Sequence, residues 1–169
     1  MQPQDRFSDF ATGDAPLQIA LIEPEIPPNT GNVARLCAAT GCALHLVAPL
    51  GFSIDDRELK RAGLDYWEHV RMTLHPSLES FLTATSASRH WYFSTRASLS
   101  YAQAAFARGD ILVFGKETKG LPAELLTRDP ERCLRIPMRP GSVRSLNLST
   151  AVGVAAYAAL AQIGFPELQ

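Results

Sequence analysis

The sequence predicts an α/β fold: one domain, a mainly parallel sheet, and helices on both of its faces. Three observations carry this. From Leu17 onward, short apolar runs of strand length alternate with amphipathic stretches. The runs are apolar throughout, as befits strands covered on both faces. The chain has 169 residues, 46% of them apolar, which suits one domain with a substantial core.

The elements follow in order. Residues 1–15 are polar and read as a mobile tail ahead of a domain spanning 16–169. Leu17 to Ile22 is the first buried strand. Glu23 to Pro28 is a loop, because Pro24, Pro27 and Pro28 cannot donate to a sheet ladder. Asn29 or Thr30 then suits a helix N-cap. Val33, Leu36, Cys37 and Thr40 recur at helical spacing, and Gly41 stops the helix. Leu44 to Val47 is the second strand. A short charged helix over Asp55–Arg61 and a strand over Tyr66–Val70 come next. Leu78–Ala87 reads as a helix. His90–Phe93, Ile111–Phe114 and Cys133–Ile136 read as strands. Asn147–Ile163 reads as one nearly uncharged helix, which predicts burial all round. Its small residues allow close approach of another element or another subunit.

Composition excludes several classes. No apolar run approaches the roughly 20 residues that span a bilayer. The opening Met1-Gln2-Pro3-Gln4-Asp5 lacks signal-peptide order, so a cytoplasmic protein is expected. Cys37, Cys42 and Cys133 form neither a disulfide framework nor a metal motif, and read as buried free thiols. His45, His69, His75 and His90 are scattered and read as surface or core residues; no metal is expected. Net charge is −1, so any nucleic-acid site must be a local patch, on one subunit or assembled from two.

Three blocks carry candidate chemistry. The first, Pro28-Asn29-Thr30-Gly31-Asn32-Val33-Ala34-Arg35, places a helix start after a strand, where free N–H groups suit an anion. Asn32 and Arg35 share a helix face opposite the apolar stripe. The plain reading is an ordinary cap and a solvated arginine. The second is Phe114-Gly115-Lys116-Glu117-Thr118-Lys119-Gly120-Leu121-Pro122, directly after a buried strand. It is not a P-loop, because Leu121-Pro122 follow Gly120, and no GxGxxG occurs. It is either a ligand loop or a tight turn with Pro122 starting the next helix. The third runs from Ile136 to Ser149. Arg139 and Arg144 bracket a flexible turn there, and Ser145 and Asn147 stand at a helix start, as functional groups or as caps. In a parallel sheet, all three strand-to-helix junctions meet at one edge, which predicts a single pocket.

These blocks, in this order and spacing from about Leu17 to Gly164, resemble the SPOUT methyltransferases, within them the SpoU branch of ribose 2′-O-methyltransferases. The stretches Glu23–Asn32 and Arg61–Tyr66 are similar to the TrmL (YibK-like) tRNA wobble-position enzymes. The resemblance implies an α/β domain with a C-terminal deep trefoil knot, S-adenosyl-L-methionine as cofactor, a homodimer with the C-terminal helix in its interface, and tRNA, through its anticodon stem-loop, as substrate. The product would be a 2′-O-methyl at position 34, on cytidine or a modified uridine. It further implies that Phe93, Gly115, Ile136 and Ser145 hold the cofactor, with Met138 and Leu146 beside them. Asn29, Arg35, Glu117, Ser145 and Asn147 would serve substrate binding and catalysis. Arg35 matches the arginine that acts on the ribose hydroxyl. A guanidinium stays protonated below about pH 12, so an orienting, charge-stabilising donor is expected rather than a base. Arg57, Lys60, Arg61, Lys119, Arg139 and Arg144 are candidate phosphate contacts, and Tyr66 or Trp67 a candidate base-stacking ring. Two features depart from the pattern: the Pro140–Arg144 loop is one residue longer, and Lys116 stands where proline is common. Other readings of the same residues are a 2′-O-methyltransferase of another tRNA position or of rRNA, a non-catalytic cofactor- or RNA-binding module, and an α/β domain for another nucleotide.

Overall fold

The computed structural model describes residues 14–54 and 69–169. Strands β1 (Gln18–Ile22), β2 (Ala43–Val47), β3 (Met72–His75), β4 (His90–Phe93), β5 (Leu99–Ser100), β6 (Ile111–Phe114) and β7 (Cys133–Arg135) form one sheet in the order β3-β2-β1-β6-β4-β7-β5. Every strand pair in it is parallel. Helices α1 (Pro27–Thr40), α2 (Leu78–Ala84), α3 (Ala123–Arg128) and α4 (Leu148–Gln162) cover it.

The apolar runs split into two cores because side chains alternate across a strand. Ile19, Leu21, Leu44, Leu46, Leu112 and Leu134 face α1 and α4, where Val33, Cys37, Val152, Ala155 and Ala159 meet them. Ala20, Ile22, Val47, Ile111 and Val113 face the other way, onto Phe81 of α2 and Leu125 of α3. The all-apolar strands thus have a physical cause: both faces are dry.

Several elements differ from the sequence reading. Helix α1 starts at Pro27, not at Asn29 or Thr30; its N-cap is Ile26. Two prolines at the first helical positions have no N–H to leave unpaired, and their fixed φ suits the helix. The Asn29 N–H is taken by the Ile26 carbonyl at 3.1 Å. The Thr30 hydroxyl is buried and caps nothing. No free N–H therefore remains at this end for an anion, contrary to the expectation. Gly41, at φ 71°, ends the helix as expected. Helix α2 stops at Ala84: the Thr85 hydroxyl shares the Phe81 carbonyl with the last helical N–H, and the next N–H, of Ser86, turns to the Thr83 carbonyl instead of continuing the ladder. β3 lies at 72–75, after the expected 66–70 strand, and β5 was not foreseen. The 55–61 helix, and 66–68 of that strand, lie outside the described residues. β7 ends one residue early and frees Ile136 for the loop.

Ala15 is fully buried, so packing has begun by that position. The three cysteines are buried and free. His45 and His75 are buried and joined, Nδ1 to Nε2, at 2.9 Å, and His45 Nε2 meets Gln18 Oε1 at 2.9 Å. Among the described residues, no helix is long and apolar enough to cross a membrane.

Helix α4 corrects one expectation. It is not buried all round: Val152, Ala155, Ala156, Ala159 and Leu160 face the core, while Val154 and Tyr157 are exposed. Phe165, just beyond, packs its ring 6.5 Å from Tyr157 and is exposed too. A single chain leaves this apolar side uncovered.

Candidate active site

The C-terminal ends of β1, β6, β4 and β7 are level, since Leu21 and Phe93 pair with Phe114, and Phe93 with Leu134. The loops leaving them are the expected junctions, and they enclose a cavity of about 530 Å³. That volume is in the range of small-molecule and cofactor sites.

Its base is aromatic. The Phe93 and Phe114 rings stack at 4.7 Å between centroids with an interplanar angle of 14°. Ile136, Met138, Leu146 and Leu148 add apolar wall. Gly115 turns the chain out of β6 where no side chain fits: an added Cβ would lie 2.0 Å from the Gly120 carbonyl carbon. Lys116 and Gly120 close this turn, with Gly120 N donating to Lys116 O at 2.8 Å.

The polar side is an interlocked set. The Glu117 carboxylate accepts from Glu25 N at 2.8 Å, Ile26 N at 3.1 Å and Asn29 Nδ2 at 3.1 Å. It anchors the turn that leads into α1, whose cap residue, Ile26, has no side chain able to accept a hydrogen bond. Asn29 Oδ1 then accepts from Asn147 Nδ2 at 3.0 Å. Asn147 caps α4 with its Oδ1, accepting from Thr150 N at 3.2 Å and Ser149 Oγ at 2.7 Å. One hydrogen-bonded chain thus crosses all three blocks, from residue 117 to 29 to 147. Returning the contact, the Glu25 carboxylate accepts from Thr118 N at 3.1 Å and from its hydroxyl. Lys116 pairs with Glu23, whose carboxylate holds the ammonium pKa above the ordinary lysine value.

The expected cofactor residues Phe93, Gly115, Ile136, Met138, Ser145 and Leu146 all line the cavity, as do Asn29, Glu117 and Asn147. Ser145 caps nothing; that role falls to Asn147. Arg35 is not among the lining residues. It is exposed on α1, about 9 Å along the helix axis from Asn29 and turned roughly 120° away from it. Lys119 and Arg144 line the cavity; Arg139 is exposed beyond it. Arg57, Lys60, Arg61, Tyr66 and Trp67 lie outside the described residues. Sequence reasoning missed the fourth junction, Ser94-Thr95-Arg96 after β4, which also lines the cavity. Its signal was present: three polar residues directly follow a buried strand, as in the other blocks.

The lining suits S-adenosylmethionine. Stacked rings and aliphatic side chains match a flat purine, and polar side chains from the surrounding loops can meet the cofactor's polar atoms.

Known proteins resemble this chain in sequence and in fold. A curated tRNA (cytidine(34)-2'-O)-methyltransferase of Burkholderia ambifaria is 51% identical over 150 residues, covering 87% of this chain and 96% of that protein. The protein of that name from Escherichia coli K12 is 49% identical over 151 residues, covering 89% and 96%. A solved structure concerned with the 2-OH methylation of C/U34 on tRNA is 54% identical, superposes with a TM-score of 0.82, and covers 86% of this chain and 95% of its own. An AdoMet-bound rRNA methyltransferase from Sinorhizobium meliloti is 25% identical with a TM-score of 0.79, covering 90% of this chain and 59% of that one. The model of the SpoU rRNA Methylase family matches residues 16–157. Level strand ends, one cavity at their edge and a family match over most of the domain agree, and this chain belongs to the SpoU rRNA Methylase family.

Proposed function

We propose that this protein methylates the ribose 2′-OH of the tRNA wobble nucleotide, cytidine or a modified uridine at position 34, with S-adenosylmethionine as donor. One observation carries the reading: all six residues expected to hold the cofactor line the same cavity as Asn29, Glu117 and Asn147. Relatives at about 50% identity over nearly their whole length, named for position 34 of tRNA, support that position over an rRNA target. Work on tRNA also fits a cytoplasmic protein.

When bound, the cofactor supplies a methyl activated by its positive sulfur. The chain's own share is placement, which can supply roughly 7–11 kcal/mol of the barrier. Glu117 fixes the Asn29 amide, and Asn29 fixes Asn147, so the polar wall is preorganised rather than assembled on binding. Arg35 orients the ribose hydroxyl and, as a guanidinium donor, stabilises the charge that develops on it. Its place on the solvent side of α1 suits a group that reaches RNA outside the cavity, on the same or a second copy.

The homodimer belongs to this reading. The uncovered apolar side of α4, with Val154, Tyr157 and Phe165, is the surface a second copy would bury. So does the trefoil knot. β7 lies between β4 and β5, yet β4 and β5 are bridged by the short loop 94–98. A chain leaving β7 through that bridge would make the knotted crossing that ordinary folds avoid, and the strand order supports it.

The test is methyl transfer to unmodified and wobble-modified tRNA pools, read by mass spectrometry of nucleosides and anticodon-loop fragments. A 2′-O-methyl at position 34 is expected. Methylation of rRNA alone, or of another tRNA position, overturns the reading.

A further inference from the structure

The cavity mouth carries more positive charge than a small zwitterionic cofactor needs. Arg96, Lys116, Lys119 and Arg144 line it against a single lining carboxylate, Glu117. Lys116 is neutralised by Glu23, and Glu117 is occupied by the Glu25 and Ile26 N–H groups and the Asn29 amide. Among the described residues, no carboxylate pairs with Arg96, Lys119 or Arg144. Three unneutralised cations thus stand around one opening in a chain whose net charge is −1. The field is local to the site, not a property of the whole surface.

Arg96 is held by a pinned turn. Ser94 N donates to Leu134 O at 2.9 Å, Ala97 N to Ser94 O at 3.2 Å, and Arg96 N to Ser94 Oγ at 3.2 Å. The turn is anchored to β7 just before Ile136, so the arginine has a fixed base and an exposed head. A fixed guanidinium fork suits a phosphate, which it can grip with two parallel bonds.

Resting on the methyltransferase reading, we propose that Arg96 is a further substrate-binding residue: it grips a backbone phosphate of the RNA next to the nucleotide that enters the cavity. Lys119 and Arg144 hold neighbouring phosphates on the same rim. A phosphate chain needs several spaced cations, whereas a cofactor carboxylate needs one. This favours RNA as the partner.

The experiment uses the full chain with Arg96→Ala and Arg96→Lys. Equilibrium binding of transcribed tRNA is measured across a salt series, and binding of S-adenosylhomocysteine by calorimetry. Arg96→Ala should weaken tRNA binding roughly tenfold, as loss of a charge-assisted contact does. It should also make the log K against log salt slope shallower by about 0.7–0.9, the share of one phosphate. Arg96→Lys should keep the slope and recover part of the affinity. Homocysteine-cofactor affinity should stay within about twofold. Unchanged tRNA affinity and slope in Arg96→Ala overturn the proposal. Weakened cofactor binding with intact tRNA binding overturns it too, and moves Arg96 to the cofactor's carboxylate. A wild-type chain that binds the cofactor product but no tRNA overturns the tRNA reading itself, and this inference with it.

Discussion

Glu25 and Glu117 each hold the other's loop. The Glu117 carboxylate takes the N–H groups of Glu25 and Ile26, and the Glu25 carboxylate takes the N–H and hydroxyl of Thr118. Two loops more than 90 residues apart in sequence are thereby locked without any regular secondary structure between them. The lock sets where Gly115 turns and where Asn29 points.

Removing Glu117 tests this lock. Glu117→Ala leaves two backbone donors and the Asn29 amide without their acceptor. The Glu25 N–H and the Asn29 amide are partly buried, and each costs about 1–3 kcal/mol when unpaired, so a loss of about 2 kcal/mol or more is expected, with the exposed Ile26 N–H turning to water. Urea unfolding measures it. Methyl transfer should fall more than stability alone explains, because Asn29 and Asn147 lose their anchor. An unfolding midpoint equal to wild type would remove Glu117 from the architecture.

Gly115 tests the turn. The Gly115→Ala methyl has no room beside the Gly120 and Leu121 backbone, so the loop must move. Overpacking of this kind costs about 1–3 kcal/mol. Calorimetry with S-adenosylhomocysteine should show affinity reduced by roughly tenfold or more. Retained affinity would mean that the turn does not shape the cofactor site.

Arg35 separates binding from chemistry. It lies outside the cavity lining, so Arg35→Ala should leave homocysteine-cofactor affinity nearly unchanged. Turnover should fall by roughly 10²-fold or more, as when a transition-state contact is lost. Single-turnover methyl transfer beside calorimetry reads both. Near-normal turnover would exclude Arg35 from the mechanism.

Acid should loosen the fold from the face opposite the cavity. Burial, with His75 and His90 adding smaller repulsive shifts, lowers the His45 pKa to about 4. Burial lowers His75 and His90 as well. The Gln18 amide gives its nitrogen to the Gly109 carbonyl at 3.0 Å, so its oxygen faces His45 and assigns the His45 proton to Nε2. His75 then donates to His45 Nδ1, leaving no place for a second proton. In the unfolded chain histidine titrates near pH 6.5. The unfolded state therefore binds the proton first. The stability from His45 is fully present above about pH 6.5 and is lost as pH falls toward 4. It amounts to about 3 kcal/mol. Urea midpoints between pH 7.5 and 4 should drop accordingly, and His45→Gln should flatten that dependence. Equal slopes in the two proteins would assign the effect to other groups.

Local pattern alone was enough for several elements. Runs such as Ile111–Phe114 announced strands, because four consecutive apolar β-prone residues tolerate only a two-sided dry environment. Gly41 announced a helix stop, because few other residues adopt a left-handed turn without strain. The blocks after β1, β6 and β7 announced a pocket, because parallel strands put all such junctions on one edge. Side-chain capping preferences point to Asn29 as the start of α1, whereas two prolines start the helix and Glu117 holds the N–H groups of Glu25 and Ile26 ahead of it. No local rule reports a partner that distant.

The sequence by itself determined the α/β class, most strand positions, the family resemblance and most of the residues that gather at the cavity. Only the tertiary structure decided what those residues do for one another. It turned Asn29 from a cap into the link between Glu117 and Asn147, and brought Ser94–Arg96 into the cavity lining. It placed Arg35 outside that lining and left one side of α4 bare. It also paired the buried Asp110 carboxylate with Arg89 and the Trp91 indole. The physical reason is range. Periodicity, turn chemistry and capping act over a few residues and can be read along the chain. Hydrogen-bond partners, charge neutralisation and exposure depend on which distant segments the sheet order sets side by side.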